Sequence, residues 1–522
     1  MEKRTLLAIT LSIAILIVYQ YLFMKPAAPP SPVPGKGTVQ EPAQSAGGNA
    51  PAATAGPSPA PAVPLPPAAV LAEGGENVKD ITVENELFTT VLTSRGGAVK
   101  SVSLKKYTDK AGKPIVLKGE GTVLPLSLGV DEGFQFSVVN FSVSGGDIKL
   151  TPAQKTASLV FEYASGGYSL RRTYTFRNDT YGFDLKDEVT GPSSYWITLG
   201  RDFGIYEKDD SVHFGPVVLK EADRIEYAVK DLKEPKTARE GIKWIALEDK
   251  YFFSSVVPRT PVEEVKAWSR DDDAIVAMKM PGGTSSYLVY AGPKEHDHLK
   301  QWGVGLEHII DFGFFSIIAR PLFWVLKFFY SIFHNYGVAI IMLTILVRIP
   351  FIPLINKGQS SMKKLQDIQP KMTEIREKYK KDPQRMQQEL MTIYKKHKVN
   401  PMGGCLPMLL QIPVFFALYK VLLIAIELRG APFLLWVQDL AAKDPYYILP
   451  IVMGVTMVIQ QKMTPSTMDP TQQKLMMIMP VVFTFMFLSF PSGLVLYWLV
   501  NNVLSIAQQM YMNKKVARES AA

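Results

Sequence analysis

The chain has 522 residues, 47% of them hydrophobic, and a formal net charge of +9; at ~150 residues per domain it is too long for one core. Its single cysteine, Cys405, excludes an intrachain disulfide framework and reads as a small buried apolar residue. The positive excess is concentrated: residues 357–400 hold twelve Lys/Arg against five Asp/Glu, a local balance of +7.

In chain order, a basic Met-Glu-Lys-Arg start precedes an almost wholly apolar run at 6–24. At about 19 residues this exceeds a usual signal-peptide core, and no small-x-small cleavage site follows. The expectation is an uncleaved signal anchor (residues 1–25) with a cytoplasmic N-terminus; a cleaved signal is the alternative. Residues 26–77 are rich in Pro, Ala and Gly, cannot offset their ordering entropy by burial, and read as a flexible tether.

From 78 to about 300 the pattern changes to period two. Tyr168, Leu170, Arg172, Tyr174 and Phe176 alternate on one face, Asn178-Asp179 turns, and Tyr181, Phe183, Leu185 and Val189 return. That is a hairpin signal. Strands are also expected at 81–92, 159–163, 274–280 and 287–290. Strands without helical interludes predict an antiparallel β-sandwich. It carries no convergent His/Asp/Glu set, so a binding or scaffold role is expected over an active site.

Residues 306–334 are apolar but carry Arg320, Lys327 and His334 at seven-residue spacing. One cationic stripe on a greasy helix predicts a helix lying in the headgroup plane. The next run, 338–355, is long enough to cross a bilayer and contains Thr344 and, one turn on, Arg348. A guanidinium at that depth costs at least ~2.5–3.5 kcal/mol, so it faces a partner or a wet cavity. The basic segment 357–400 then shows a heptad seam at Leu365, Ile368, Met372, Ile375 and Tyr379, an Asp382-Pro383 helix start, and a return seam at Met386, Leu390, Ile393 and His397. This is a coiled-coil hairpin. Its charges form a solvated face or attract acidic lipid, ribosomal RNA or nascent chains.

By the positive-inside rule, further spans at 405–428, 446–461, 475–490 and 494–510 leave the β domain outside and the hairpin and tail (514–522) inside. Six transmembrane helices are expected, the last five forming a core over 335–513. Polar side chains recur within it: Gln411, Gln460, Gln461, Asn501, Asn502, Ser505, Gln508 and Gln509. Singly these are helix–helix glue; together with an unneutralised arginine they suggest a hydrated cavity. Phosphate loops, paired metal-ligand spacings and nucleophile elbows do not stand out, so no cofactor, metal or catalytic residue is expected.

Three stretches are specific enough to carry a resemblance. Asn400-Pro401-Met402-Gly403-Gly404-Cys405-Leu406-Pro407, Asp444-Pro445-Tyr446-Tyr447-Ile448-Leu449-Pro450 and Phe490-Pro491-Ser492-Gly493-Leu494-Val495-Leu496-Tyr497-Trp498 closely resemble the YidC-type membrane protein insertases, in the Gram-negative form. The resemblance implies a multi-domain inner-membrane protein: an outer β-supersandwich, an amphipathic helix, and a five-helix core around a hydrophilic groove. It also implies that Arg348 is the groove arginine, Thr344 faces the groove, and Tyr497 and Trp498 form an aromatic pair. Where many relatives have Tyr-Tyr, this chain has Tyr-Trp. The expected substrate groove is Arg348, Thr344, Gln411, Gln460, Tyr497, Trp498, Asn501, Asn502 and Ser505. Expected partners are nascent membrane proteins, the lipid bilayer, the ribosome and the Sec translocon. An anion-site transporter or channel is the first alternative. A membrane-anchored carbohydrate-active enzyme is the second, because fold alone does not carry function.

Overall fold

The computed structural model describes residues 78–397 apart from 110, 210 and 211, together with 406–464 and 470–521. The expected N-terminal anchor and tether, Cys405 and the loop at 465–469 lie outside the described residues.

Seventeen strands form two sheets among these residues. In the smaller sheet the spatial order is Pro114–Lys118, Ala98–Thr108, Phe88–Thr93, Asp80–Glu84 and Ile148–Lys149. Its last pair runs parallel. The larger sheet has twelve strands built around two long ones, Gly182–Arg201 and Asp273–Pro293, which pair antiparallel. The expected hairpin is Tyr168–Arg177 against Gly182–Arg201, with Arg172 directly opposite Asp187.

The strand expected at 81–92 is two strands, because the Asn85 side chain accepts from Leu87 N at 2.9 Å and Phe88 N at 2.7 Å. Such an Asx turn reverses the chain. Conversely, the strands expected at 274–280 and 287–290 are one, Asp273–Pro293. The Pro281-Gly282-Gly283 interruption is absorbed as an irregularity between Val189 and Ser194 of the neighbouring strand.

Ten α-helices follow among the described residues: α1 His296–Gln301, α2 Ser316–Phe333, α3 Tyr336–Arg348, α4 Ile352–Asp367, α5 Gln369–Lys378, α6 Pro383–Lys396, α7 Leu406–Ile424, α8 Ile448–Met463, α9 Pro470–Phe487 and α10 Ser492–Ala521. A 3-10 turn, Ile349–Phe351, joins α3 to α4 without a sharp break. Leu322, Phe323 and Leu326 of α2, Ile340 and Leu343 of α3, Leu418 and Val421 of α7, Met453 of α8 and Val495 and Tyr497 of α10 bury one shared core. At ~25 cal/mol per Å2 the removal of such side chains from water is the main attractive term in water. Within lipid, close contact supplies more of it. Two glycines permit that contact: a Cβ at Gly454 would overlap Thr484, and one at Gly337 would overlap Phe433.

The basic hairpin is made by α4, α5 and α6. Leu365, Ile368 and Met372 are buried against Leu390, Ile393 and Tyr394. Asp382 caps α6 by accepting from Arg385 N at 3.1 Å. The outgoing arm breaks at Ile368, just ahead of Pro370, and Tyr379 lies under the Arg385 guanidinium, 5.5 Å from the ring centre, away from the seam.

The expected fold class, a supersandwich with six transmembrane helices, is overturned. The β domain is two open sheets, the smaller of mixed strand direction and the larger antiparallel, not a closed sandwich. Period-two alternation identifies strands but contains nothing about closure. Among the described residues only two helical stretches are long and apolar enough to span a membrane, Ser316–Phe333 and Tyr336–Asp367. Three others, Gln411–Ile424, Ile448–Met463 and Met476–Phe487, are shorter apolar helices. Helix α10 is long, but Asn501, Asn502, Ser505, Gln508 and Gln509 dilute its apolar character.

Candidate functional site

Arg348 is the last α-helical residue of α3, because Pro350 removes a backbone donor and tightens the next turn into 3-10 geometry. A cation at a helix C-terminus is favoured by the helix dipole. The side chain is half-buried and reaches α10. Nη1 donates to Asn501 Oδ1 at 2.8 Å and to Asn501 O at 3.2 Å, and Nη2 donates to Gln508 Oε1 at 3.1 Å. Every one of these acceptors is neutral. Among the described residues no carboxylate pairs with Arg348, so neutral oxygens hold the guanidinium while its charge is not neutralised. Gln508 is oriented in turn, its Nε2 donating to Asn356 Oδ1 of α4 at 2.7 Å.

Helix α10 is the common element of the polar network. Tyr497 accepts at its hydroxyl from Gln411 Nε2 of α7 at 3.0 Å. Asn502 is buried and donates to Thr456 Oγ1 of α8 at 3.2 Å. Ser505 bonds back to Asn501 O at 2.8 Å. The start of α10 is fixed at the far end, where Ser492 and Gly493 donate from their peptide N–H groups to Ala442 O and Leu440 O at 2.7 and 2.9 Å. Asp444, also buried, accepts from Tyr446 N and Leu449 N and so holds the entry to α8. The Asp-Pro-Tyr-Tyr and Pro-Ser-Gly motifs therefore brace the helices that carry the polar groups.

Of the expected groove residues, Arg348 and Asn501 meet directly, and Gln411 meets Tyr497 one to two turns away along α10. Thr344 is 2% exposed and spends its hydroxyl on Ile340 O of its own helix, at 2.6 Å. Trp498 packs among Phe415, Phe483 and Phe487 at ring separations of 4.8, 6.4 and 5.3 Å. Gln460 is on α8 and lends its backbone oxygen to Thr464; among the described residues its side chain is not tied to Arg348. Sequence reasoning noted Gln508 without selecting it and missed Asn356. The seven-residue step from Asn501 to Gln508 was the available signal, since it puts both on one stripe. The described residues hold no cluster of His, Cys, Asp or Glu able to bind a metal.

A second buried arginine lies in the β domain. Arg172 and Asp187 are both fully buried and form a two-point ion pair, Nε to Oδ1 at 2.8 Å and Nη2 to Oδ2 at 3.1 Å. Nη1 donates to Leu126 O at 2.6 Å and Gly97 O at 3.1 Å. This arrangement satisfies both charge and hydrogen bonding and leaves nothing open to a ligand.

Comparison with known proteins divides the chain within α2, after the β domain and the first short helix. The family described as "YidC periplasmic domain" matches residues 80–325, and that described as "60Kd inner membrane protein" matches 328–519. The chain is similar to the membrane protein insertase YidC of Syntrophus aciditrophicus (strain SB), 43% identical over 99% of this chain and 100% of that one. It is also 44% identical to that of Geobacter metallireducens, over 100% of both. A crystal structure of an active YidC insertase with its first transmembrane domain resolved aligns over 83% of this chain and 93% of that one. There the identity is 19% and the TM-score 0.39.

Proposed function

The chain belongs to the YidC family of membrane protein insertases, multi-pass inner-membrane proteins with a periplasmic domain that act without enzymatic catalysis, and on that premise we propose that Arg348 is where an incoming polypeptide docks. The observation that carries this reading is a half-buried guanidinium whose hydrogen bonds all end on neutral oxygens. A charge in that state attracts a carboxylate far more strongly than the same pair would in water.

In this reading a nascent membrane protein reaches the basic hairpin, and its short acidic outer segment is drawn toward Arg348. Amide and hydroxyl groups of α10 and α7 replace water around it and lower the desolvation barrier. The hydrophobic part of the substrate moves along apolar faces of α7 and α9 into lipid. Ile412, Ile478, Val481, Val482 and Phe485 are exposed there, and partition into the bilayer supplies the driving force. Thr344, Gln460, Trp498, Asn502 and Ser505 support the walls of this groove. With the β domain periplasmic, the hairpin and both termini face the cytoplasm, where the ribosome meets the hairpin. Substrates enter either directly or beside the Sec translocon.

The test is to deplete the endogenous insertase and supply Arg348→Ala. Insertion of substrates with acidic outer segments should fall, with neutral ones less affected. Wild-type growth and wild-type insertion of every substrate would remove the docking role.

A further inference from the structure

Arg348 is not left to find its own position. Its Nη2 donates to Gln508 Oε1, and the same amide donates through Nε2 to Asn356 Oδ1, at 3.1 and 2.7 Å. The two bonds hold the amide at both ends. A glutamine amide has one accepting and one donating end, and the two are interchangeable by a half-turn unless a neighbour selects between them. The guanidinium, which can only donate, takes the accepting end, and Asn356 ties down the donating end. A turned amide would set N–H against N–H.

We propose that Asn356 and Gln508 form a positioning relay for Arg348, with Gln508 a neutral placeholder that the substrate carboxylate displaces. The proposal rests on the docking reading above and adds to it which residues set the selectivity. Asn356 lies two turns beyond Arg348, across the 3-10 turn that joins α3 to α4. The relay therefore locks both helices to α10. Neutrality is the working property. An amide oxygen holds the guanidinium in place without cancelling its charge, and a carboxylate then replaces it with a stronger, charge-assisted bond. A carboxylate built in at position 508 would have the same shape and reach but would occupy Arg348 permanently. The acceptors on Nη1, both from Asn501, remain in place during the exchange and keep the guanidinium plane oriented.

The experiment measures insertion of paired substrates that differ only by Asp or Asn in a short outer segment, in vesicles containing the full-length protein. The quantity read is the ratio of acidic to neutral insertion rates. Arg348→Ala, which tests docking itself, should bring the ratio to about one. Gln508→Glu, isosteric and therefore compatible with the packing, should lower the ratio about ten-fold. Asn356→Ala should lower it in the same direction but less, since Gln508 then loses the tether that holds its side chain against the guanidinium. A ratio unmoved by Arg348→Ala contradicts docking. A ratio that falls with Arg348→Ala but stays at the wild-type value in Gln508→Glu and Asn356→Ala overturns the relay and leaves docking intact. If Asn356→Ala does not accumulate in the membrane, Gln508→Glu decides the question alone.

Discussion

Arg172 in the β domain and Arg348 in the helical core are both withdrawn from bulk water, but they end on different acceptors. Arg172 faces Asp187 across a strand pair, with carbonyls taking its remaining donors. Arg348 meets an asparagine, a glutamine and a peptide oxygen, and no carboxylate among the described residues. The first arrangement is closed in charge and geometry, so it contributes to folding. The second is closed in geometry only, so it retains an attraction that a passing substrate can use. The difference teaches that burial of a charge says little about function until its neutralisation is known.

The comparison can be broken first at its stable side. Asp187→Ala should leave Arg172 buried and unpaired, at a cost of about 3–5 kcal/mol. Urea unfolding of the detergent-solubilised chain, followed through buried Trp196 and Trp244, measures this. Replacing both partners by apolar residues should recover most of the loss. Little effect from Asp187→Ala would show that the pair is not the structural anchor described here.

On the other side, Arg348→Ala should cost less stability than Asp187→Ala, since it removes hydrogen bonds to neutral acceptors but breaks no ion pair. Its effect belongs to substrate engagement, where a charge-assisted hydrogen bond of about 1.5–3 kcal/mol corresponds to roughly 10- to 100-fold. Parallel melting curves and insertion assays separate the two effects. A large drop in melting temperature with unchanged selectivity would reverse the contrast.

Tyr497→Phe removes a neutral bond between α10 and α7 and should cost about 0.5–1.5 kcal/mol. Gln411→Ala should not add to it, which a double-mutant cycle checks.

The smallest effect concerns the outer junction. Burial pushes the Glu427 carboxyl up to about 7, against the opposing pull of its own peptide N–H and of Lys327, and with Glu295 and Asp297 nearby adding repulsion. A raised carboxyl contributes stability that is fully present below its ordinary value near 4.5 and is lost as pH rises through about 7. Hydrogen exchange in the segment after α7 should therefore quicken between pH 5 and pH 8. Glu427→Gln should flatten that dependence, and an unchanged slope would show that another group controls it.

Much of this was legible in the sequence, and the parts that were not share a cause. Alternation at Tyr168, Leu170, Arg172, Tyr174 and Phe176 located the hairpin, because a strand's two faces are written directly in its period. Asn85 carried a turn signal that alternation across 81–92 concealed. The closed sandwich and the six spans failed because closure and span count depend on how sheets meet and where polar residues interrupt helices, which local pattern does not encode. Arg348 was visible as a charge in an apolar run. Of its acceptors Asn501 was named with it, but Gln508, 160 positions away, was not selected, and Asn356 matters only through the amide it tethers. The resemblance implied that Thr344 faces the groove, and in the structure its hydroxyl donates to Ile340 O of its own helix.

The most direct test of charge-driven docking is a double-mutant cycle on insertion rate. It crosses Arg348 or Arg348→Ala with a substrate whose outer segment carries Asp or Asn. The account predicts that removing the substrate carboxylate slows insertion by roughly ten-fold or more when Arg348 is present, and hardly at all when it is absent. Equal losses in the two backgrounds would mean that the arginine and the carboxylate never meet, and would contradict it.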